Sequence, residues 1–132
     1  MPVAPEHRLT DEAETLLRQV HPAFVVEGRV ASAAFRPSSQ DEGELSVDRG
    51  ALTSAADALA RYVAAGGKAV GTWGVTLAEC RSAGVDGYAD PLPANDAHAL
   101  VDFRPTGSKS RWAKVGDKLA AHARARGRLA PS

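Results

Sequence analysis

Apolar residues recur along this chain with two periods, and the switch between them marks out its elements. ELSVD, residues 44–48, alternates: Leu45 and Val47 point one way, while Glu44, Ser46 and Asp48 point to water or to a site. HALVDF alternates too, setting His98, Leu100 and Asp102 against Ala99, Val101 and Phe103. KAVGTWGVT reads as a third strand, with Ala69, Trp73 and Val75 on one face and Gly71 and Gly74 marking a close backbone approach. The valine-rich FVVEGRVASAAF reads as a bent strand or as a hairpin about Glu27 and Gly28.

The helical period appears four times. Ser54 with Asp57 opens a helix carrying Ala55, Leu59, Tyr62 and Val63 as its apolar stripe, stopped by Gly66 and Gly67. TLAE, residues 76–79, is a capping box for a short helix ending at Gly84. A last helix runs from about Lys109 to Arg126 with Trp112, Val115, Leu119 and Ala123 inward and Gly127 as its stop. Thr10 followed by DEAE caps a fourth, with Leu16, Leu17 and Val20 on one face and its end near His21, since Pro22 pushes the preceding residue out of the α region. The alternative reads TLLRQVH as a strand, with Leu17, Gln19 and His21 on one face and Arg18 and Val20 on the other. PSSQDEG and GVDGYADPLPAND read as loops.

The sum is an α+β fold: one small domain over residues 1–132, a mixed sheet of four or five short strands, and three or four helices. Residues 1–9 and 128–132 are expected to be flexible tails. A length of 132 residues supports one core and not two, and 44% apolar with 24% charged residues is ordinary globular composition. Cys80 is the single cysteine, so no internal disulfide forms and no cysteine cluster holds zinc. No window approaches the roughly 18 apolar residues of a membrane span. A cytoplasmic setting is expected. Sixteen basic and sixteen acidic residues cancel, but they are segregated. From Lys109 onward seven Lys or Arg stand against one acid, Asp117, leaving plus six there and minus six over residues 1–108.

LLRQVHPAF, GRVASAAFRPS, GELSVDRG, GTWGVTLAEC and ADPLPANDAHALVDF together resemble a family of small, uncharacterised bacterial proteins, over roughly residues 15–103. The resemblance implies a bacterial, cytoplasmic origin and carries no activity with it. Relatives of that kind tend to place a second polar residue beside Ser32, where this chain has Ala31 and Ala33.

Several side chains are candidates for chemistry. Arg18 and His21 offer a fork of donors and a titratable ring to a phosphate or nucleotide. The plainer reading pairs Arg18 with Glu14 and lets His21 end its element. His98 and Asp102 share a strand face but stand roughly 13 Å apart, too far to form a dyad. His21 and His98 with Asp102 or Asp90 have the donor chemistry for zinc, though no spacing demands it and no metal is expected. Cys80 follows a helix start that lowers thiol pKa values, yet Leu77 and Ala83 around it favour packing. By analogy of layout with minimal ADP-ribosyltransferase-like domains, Arg18 or His21, then Ser32 or Ser46, then Glu79 take the functional places, with NAD as cofactor. Glu79 is already explained by its capping box.

The P-loop, GxGxxG, G-x-S-x-G and H-E-x-x-H motifs are missing. The leading expectation is therefore a non-catalytic accessory or adaptor domain that binds a protein partner, with Arg18, His21, His98, Asp102, Lys114 and Lys118 as candidate contacts. A small NAD-handling enzyme using Arg18, His21, Ser46 and Glu79 is the alternative. Nucleic-acid binding through the basic last helix is a further one, weakened by the scarcity of aromatic residues to stack bases. Oligomeric state is left open.

Overall fold

Residues 15–20, TLLRQV, form a central strand and not the expected helix. A strand with neighbours on both sides and cover on both faces loses its alternation, so adjacent Leu16 and Leu17 mimic a helical stripe. In the structure, a computed structural model that describes residues 4–38 and 42–132, β1 (Thr15–Val20) pairs with two strands and buries Leu16, Leu17 and Val20. The acids read as a helix cap serve differently. Asp11 accepts the Ala13 N–H in a turn, and Glu14 turns inward to Arg49.

After the 3₁₀ turn Pro22–Phe24, β2 (Val25–Val26) and β3 (Arg29–Val30) make a two-stranded hairpin. Glu27 and Gly28 at its tip have φ of 53° and 77°, the pair of positive values a tight hairpin turn requires. A second 3₁₀ turn, Ser32–Phe35, plugs Ala34 and Phe35 into the core. The loop expected over residues 37–43 lies partly outside the described residues. Then follow β4 (Glu44–Arg49), α1 (Ala55–Ala64), β5 (Gly71–Thr76), α2 (Leu77–Ser82), β6 (Asp86–Ala89), β7 (His98–Asp102) and α3 (Lys109–Arg126).

The class is α+β. The main sheet has order β5–β1–β4–β7–β6, and every pairing runs antiparallel where a mixed sheet was expected. β6 lies within GVDGYADPLPAND, where the sequence predicts a loop. Asp86–Ala89 lacks strand-forming residues apart from Tyr88, but Gly87 leaves room for Leu9, Leu16 and Leu77, whose methyls lie 3.1–3.4 Å from where a Cβ would sit.

One face of the sheet carries the core. Leu45, Val47, Trp73, Val75 and Val101 pack there against α2, α3 and the Ser32–Phe35 turn, with Phe35, Phe103 and Leu119 fully buried. α2 has the predicted capping box, Thr76 and Glu79 bonding each other's backbone N–H at 3.1 and 2.8 Å. α3 begins and ends where the sequence placed it. On the other face α1 packs over β1 and β5. α1 is shorter in apolar contact than its stripe suggested: Ala58 is its one buried residue, and Tyr62 and Val63 are exposed.

Part of each segment expected as a tail is bonded to the sheet. Leu9 is buried and its N–H donates to Gly87 O at 2.9 Å, while Arg8 pairs with Asp86 at 2.7 Å. Ala130 is buried, with Thr72 N–H donating to its carbonyl and Leu129 N–H donating to Thr72 O, both at 2.8 Å. Among the described residues no helix is long and apolar enough to cross a membrane.

Candidate functional site

The face under α1 gathers an unusual row of polar side chains. Thr72 on β5, Gln19 on β1 and Asp48 on β4 all point to this side, and all three are buried. Burial of such groups is tolerable only with hydrogen bonds, and the row supplies them. Thr72 Oγ1 donates to Gln19 Oε1 at 2.6 Å, and Gln19 Nε2 donates to Asp48 Oδ2 at 3.2 Å. From the loop before β7, Asn95 Nδ2 donates to Asp48 Oδ1 at 2.7 Å. Arg61 on α1 closes the row, donating to Asn95 Oδ1 at 3.0 Å and to Thr53 Oγ1 at 3.3 Å.

Gln19, Asp48, Asn95 and Arg61 line one wall of a cavity of about 270 Å³ between α1 and the sheet. Leu17, Val47, Ala58, Tyr62, Ala65 and Ala94 line the rest and make it mostly apolar. His98, opposite Asp48 across the β4–β7 register, also borders it. Its Nδ1 lies 2.9 Å from Asp90 Oδ2 and 3.1 Å from Asp90 O, which fixes the ring.

The candidates taken from the sequence are scattered among other duties. Arg18 does not pair with Glu14. The β1–β4 ladder ends at Leu17↔Asp48, and just beyond it the Arg18 guanidinium donates to Ala34 O and Ser46 O, each at 2.9 Å. His21 accepts the Ala23 N–H at 2.9 Å and so caps the Pro22–Phe24 turn, its ring edge-on to Phe24. With Phe24, Ser38 and Tyr62, Arg18 and His21 border a second concavity of about 400 Å³. Ser46 lines the cavity under α1. Asp102 is held by Arg104, through its N–H at 3.0 Å and its Nε at 2.8 Å.

Glu79 lies away from all of these, bonded to Arg126 at 3.0 and 3.1 Å and beside His122 at 3.2 Å. Burial pushes its carboxyl pKa up, but the bonds from Arg126 and the Thr76 N–H and the charges of Arg126 and His122 outweigh that and hold it below the usual range. Arg18, His21, Ser46 and Glu79 therefore do not form one constellation. Ser32 lies 3.4 Å from Arg124, and burial, with the charges of Glu79 and Asp86 adding to it, pushes the Cys80 thiol up to about 12. Among the described residues no three of His, Cys, Asp and Glu gather to hold a metal, and His98 meets Asp90 and not His21.

On α3, Arg124 donates to Val30 O and Arg126 to Gly74 O, so two of the seven cations belong to the fold. Lys109, Arg111, Lys114 and Lys118 are exposed.

The row Gln19–Asp48–Asn95–Arg61 was missed as a unit by the sequence reading, because its members come from four separate segments. Asp48 carried a signal through the alternation of ELSVD, and Gln19 one through the alternative strand reading of TLLRQVH, which set it on a face with Leu17. No family model matches this chain, and neither a curated protein nor a solved structure matches it.

Proposed function

We propose that this chain is a non-catalytic binding domain, an accessory or adaptor of a bacterial cytoplasm that engages a protein partner with the outer face of α1 and its surroundings. The observation that carries this reading is a contrast. Arg18, His21 and Glu79 are each committed to bonds within the fold, whereas Tyr62 and Val63 on α1 stand 43% and 50% exposed, with Leu52 at 56% on the approach to the helix. An aromatic and two aliphatic side chains displayed beside a cavity mouth suit a partner's apolar anchor. The polarised charge of the chain steers such an encounter and adds specificity more than affinity.

The test is site-specific photocrosslinking in bacterial cells. A crosslinker at Val63 should trap one discrete protein that the same group at Lys118 does not, and Tyr62→Ser should abolish the adduct. Adducts of equal yield from both positions would sink the reading.

One observation favours a nucleotide-handling alternative: Arg18 and His21 border the same concavity. Thermal stabilisation by NAD that His21→Ala removes would support it. Exposed Lys114 and Lys118 leave nucleic acid as a third reading, for which charge reversal there should weaken binding and flatten its salt dependence.

A further inference from the structure

We propose that the cavity beneath α1 is a binding site for a free apolar α-amino acid, with its ammonium on Asp48, its carboxylate on Arg61 and its side chain against Leu17, Ala58 and Tyr62. This goes beyond partner binding and stands whether or not a protein uses the outer face of α1.

Two opposite charges, Asp48 and Arg61, border the cavity and are bridged by a single carboxamide. Arg61 Nη1 donates to Asn95 Oδ1 at 3.0 Å, and Asn95 Nδ2 donates to Asp48 Oδ1 at 2.7 Å. Asn95 thus shows the guanidinium an acceptor and the carboxylate a donor, from two atoms on one carbon. An α-amino acid offers the same polarity in charged form, with its carboxylate and ammonium on adjacent carbons. Lying beside Asn95, such a headgroup meets Arg61 and Asp48 with both charges matched.

Asp48 is the group with the most to gain. It is 7% exposed, and among the described residues its hydrogen bonds come from the neutral carboxamides of Gln19 and Asn95, not from a cation. A carboxylate oxygen accepts more than one hydrogen bond, so an ammonium adds to these bonds without displacing them. Tyr62 adds an aromatic ring at the same cavity, a surface that tolerates a nearby cation.

Size and wall chemistry select the rest of the ligand. A cavity of about 270 Å³ falls just below the range for drug-sized molecules. Besides the polar row, Arg18, Ser46 and His98 also border it, and the remaining wall of Leu17, Ala58, Tyr62, Ala65 and Ala94 is aliphatic and aromatic, which suits a side chain such as that of leucine or phenylalanine. A peptide terminus does not suffice, because it carries one of the two charges and not both on neighbouring carbons.

The experiment is a thermal-shift and calorimetric titration of the full chain with L-leucine, L-phenylalanine, N-acetyl-L-leucine and L-leucinamide. A free amino acid at about ten times its dissociation constant should raise Tm by about 5 °C. Each blocked form, lacking one charge, should bind at least about tenfold more weakly. Asp48→Asn should abolish binding but touches a buried network, so Ala94→Phe serves as the second variant. Ala94 is exposed and borders the cavity beside Asn95, and its methyl takes no part in the hydrogen bonds of the polar row, so this variant should keep the unliganded Tm and lose the ligand shift. A folded wild-type chain that no apolar amino acid stabilises overturns the proposal. So does equal binding of the blocked forms, or an Ala94→Phe protein that binds as wild type does.

Discussion

Arg49 grips Glu14 as a fork, Nε at 2.9 Å from one carboxylate oxygen and Nη2 at 3.1 Å from the other, and the carboxylate it holds is 1% exposed. The pair joins the start of β1 to the end of β4. Arg49→Ala would leave a buried charge without its cation, at a cost of about 3 kcal/mol. The arginine side chain itself is 24% exposed, so the low end of the usual range applies. Urea denaturation should show the loss as a lower midpoint at unchanged slope.

Arg18→Ala should act on stability first. Its guanidinium supplies donors to Ala34 O and Ser46 O where the β1–β4 ladder gives out, and charged donors of this kind contribute about 2 kcal/mol each. The variant should lose several degrees of Tm whether or not NAD is present. A variant with wild-type Tm would mean that these bonds contribute little and would return Arg18 to the list of candidate ligand contacts.

Acid should unfold this protein partly through Glu79 and Asp86. Burial pushes the Asp86 carboxyl up, but bonds from Arg8, the Gly87 N–H and Arg81, and the charge of Arg81, bring it below its ordinary 3.8, as similar bonds bring Glu79 below 4.5. Between the folded and unfolded values the unfolded chain binds more protons, so stability falls as pH falls. The contribution is complete above about pH 4.5 and is lost as pH drops through the folded values. Tm measured from pH 6 down to pH ~2.5 should decline less steeply in Glu79→Gln than in wild type.

Cys80 should be inert in the native state. With its thiol pKa raised to about 12, iodoacetamide at pH ~8 should leave it unlabelled until denaturant is added. Rapid labelling of folded protein would contradict its burial.

Gly116 sits mid-way along α3 where a Cβ would lie 3.1 Å from Ser32 O and 3.4 Å from Phe35 O. Backbone atoms cannot swing aside, so Gly116→Leu should lever α3 off the Ser32–Phe35 turn and cost about 2 kcal/mol or more. Differential scanning calorimetry would read this as a lower Tm with the cooperative transition retained.

How much of this could be read in the sequence depended on how local the cause was. α2 and α3 were legible because caps and stops act within one turn: Thr76 with Glu79, and Gly127 with φ of 85°. β4 and β7 were legible because each has one face on the core, and the faces of His98 and Asp102 came out as their alternation implied. β1 was misread because it is central, and β6 because its place is owed to Gly87 and to neighbours far away in sequence. The cavity shows the same limit. Asp48 could be placed on a face, and Gln19 too in the strand reading of TLLRQVH, but Gln19, Asn95 and Arg61 reach Asp48 only after β1, the loop before β7 and α1 have been brought together.

The two segments bonded alongside β5 and β6 have a consequence for the protein's neighbours in a crowded cell. Both are the outermost strands of the sheet, and an outer strand with free N–H and C=O groups invites a foreign strand to add on. Leu129 and Ala130 occupy that position on β5, and Arg8 and Leu9 occupy it on β6, the latter with a charge that repels apolar strands. Stripped of either segment, the domain would lose a buried side chain, Leu9 or Ala130, and gain an adhesive border, turning a self-contained sheet into a seed for strand-by-strand aggregation.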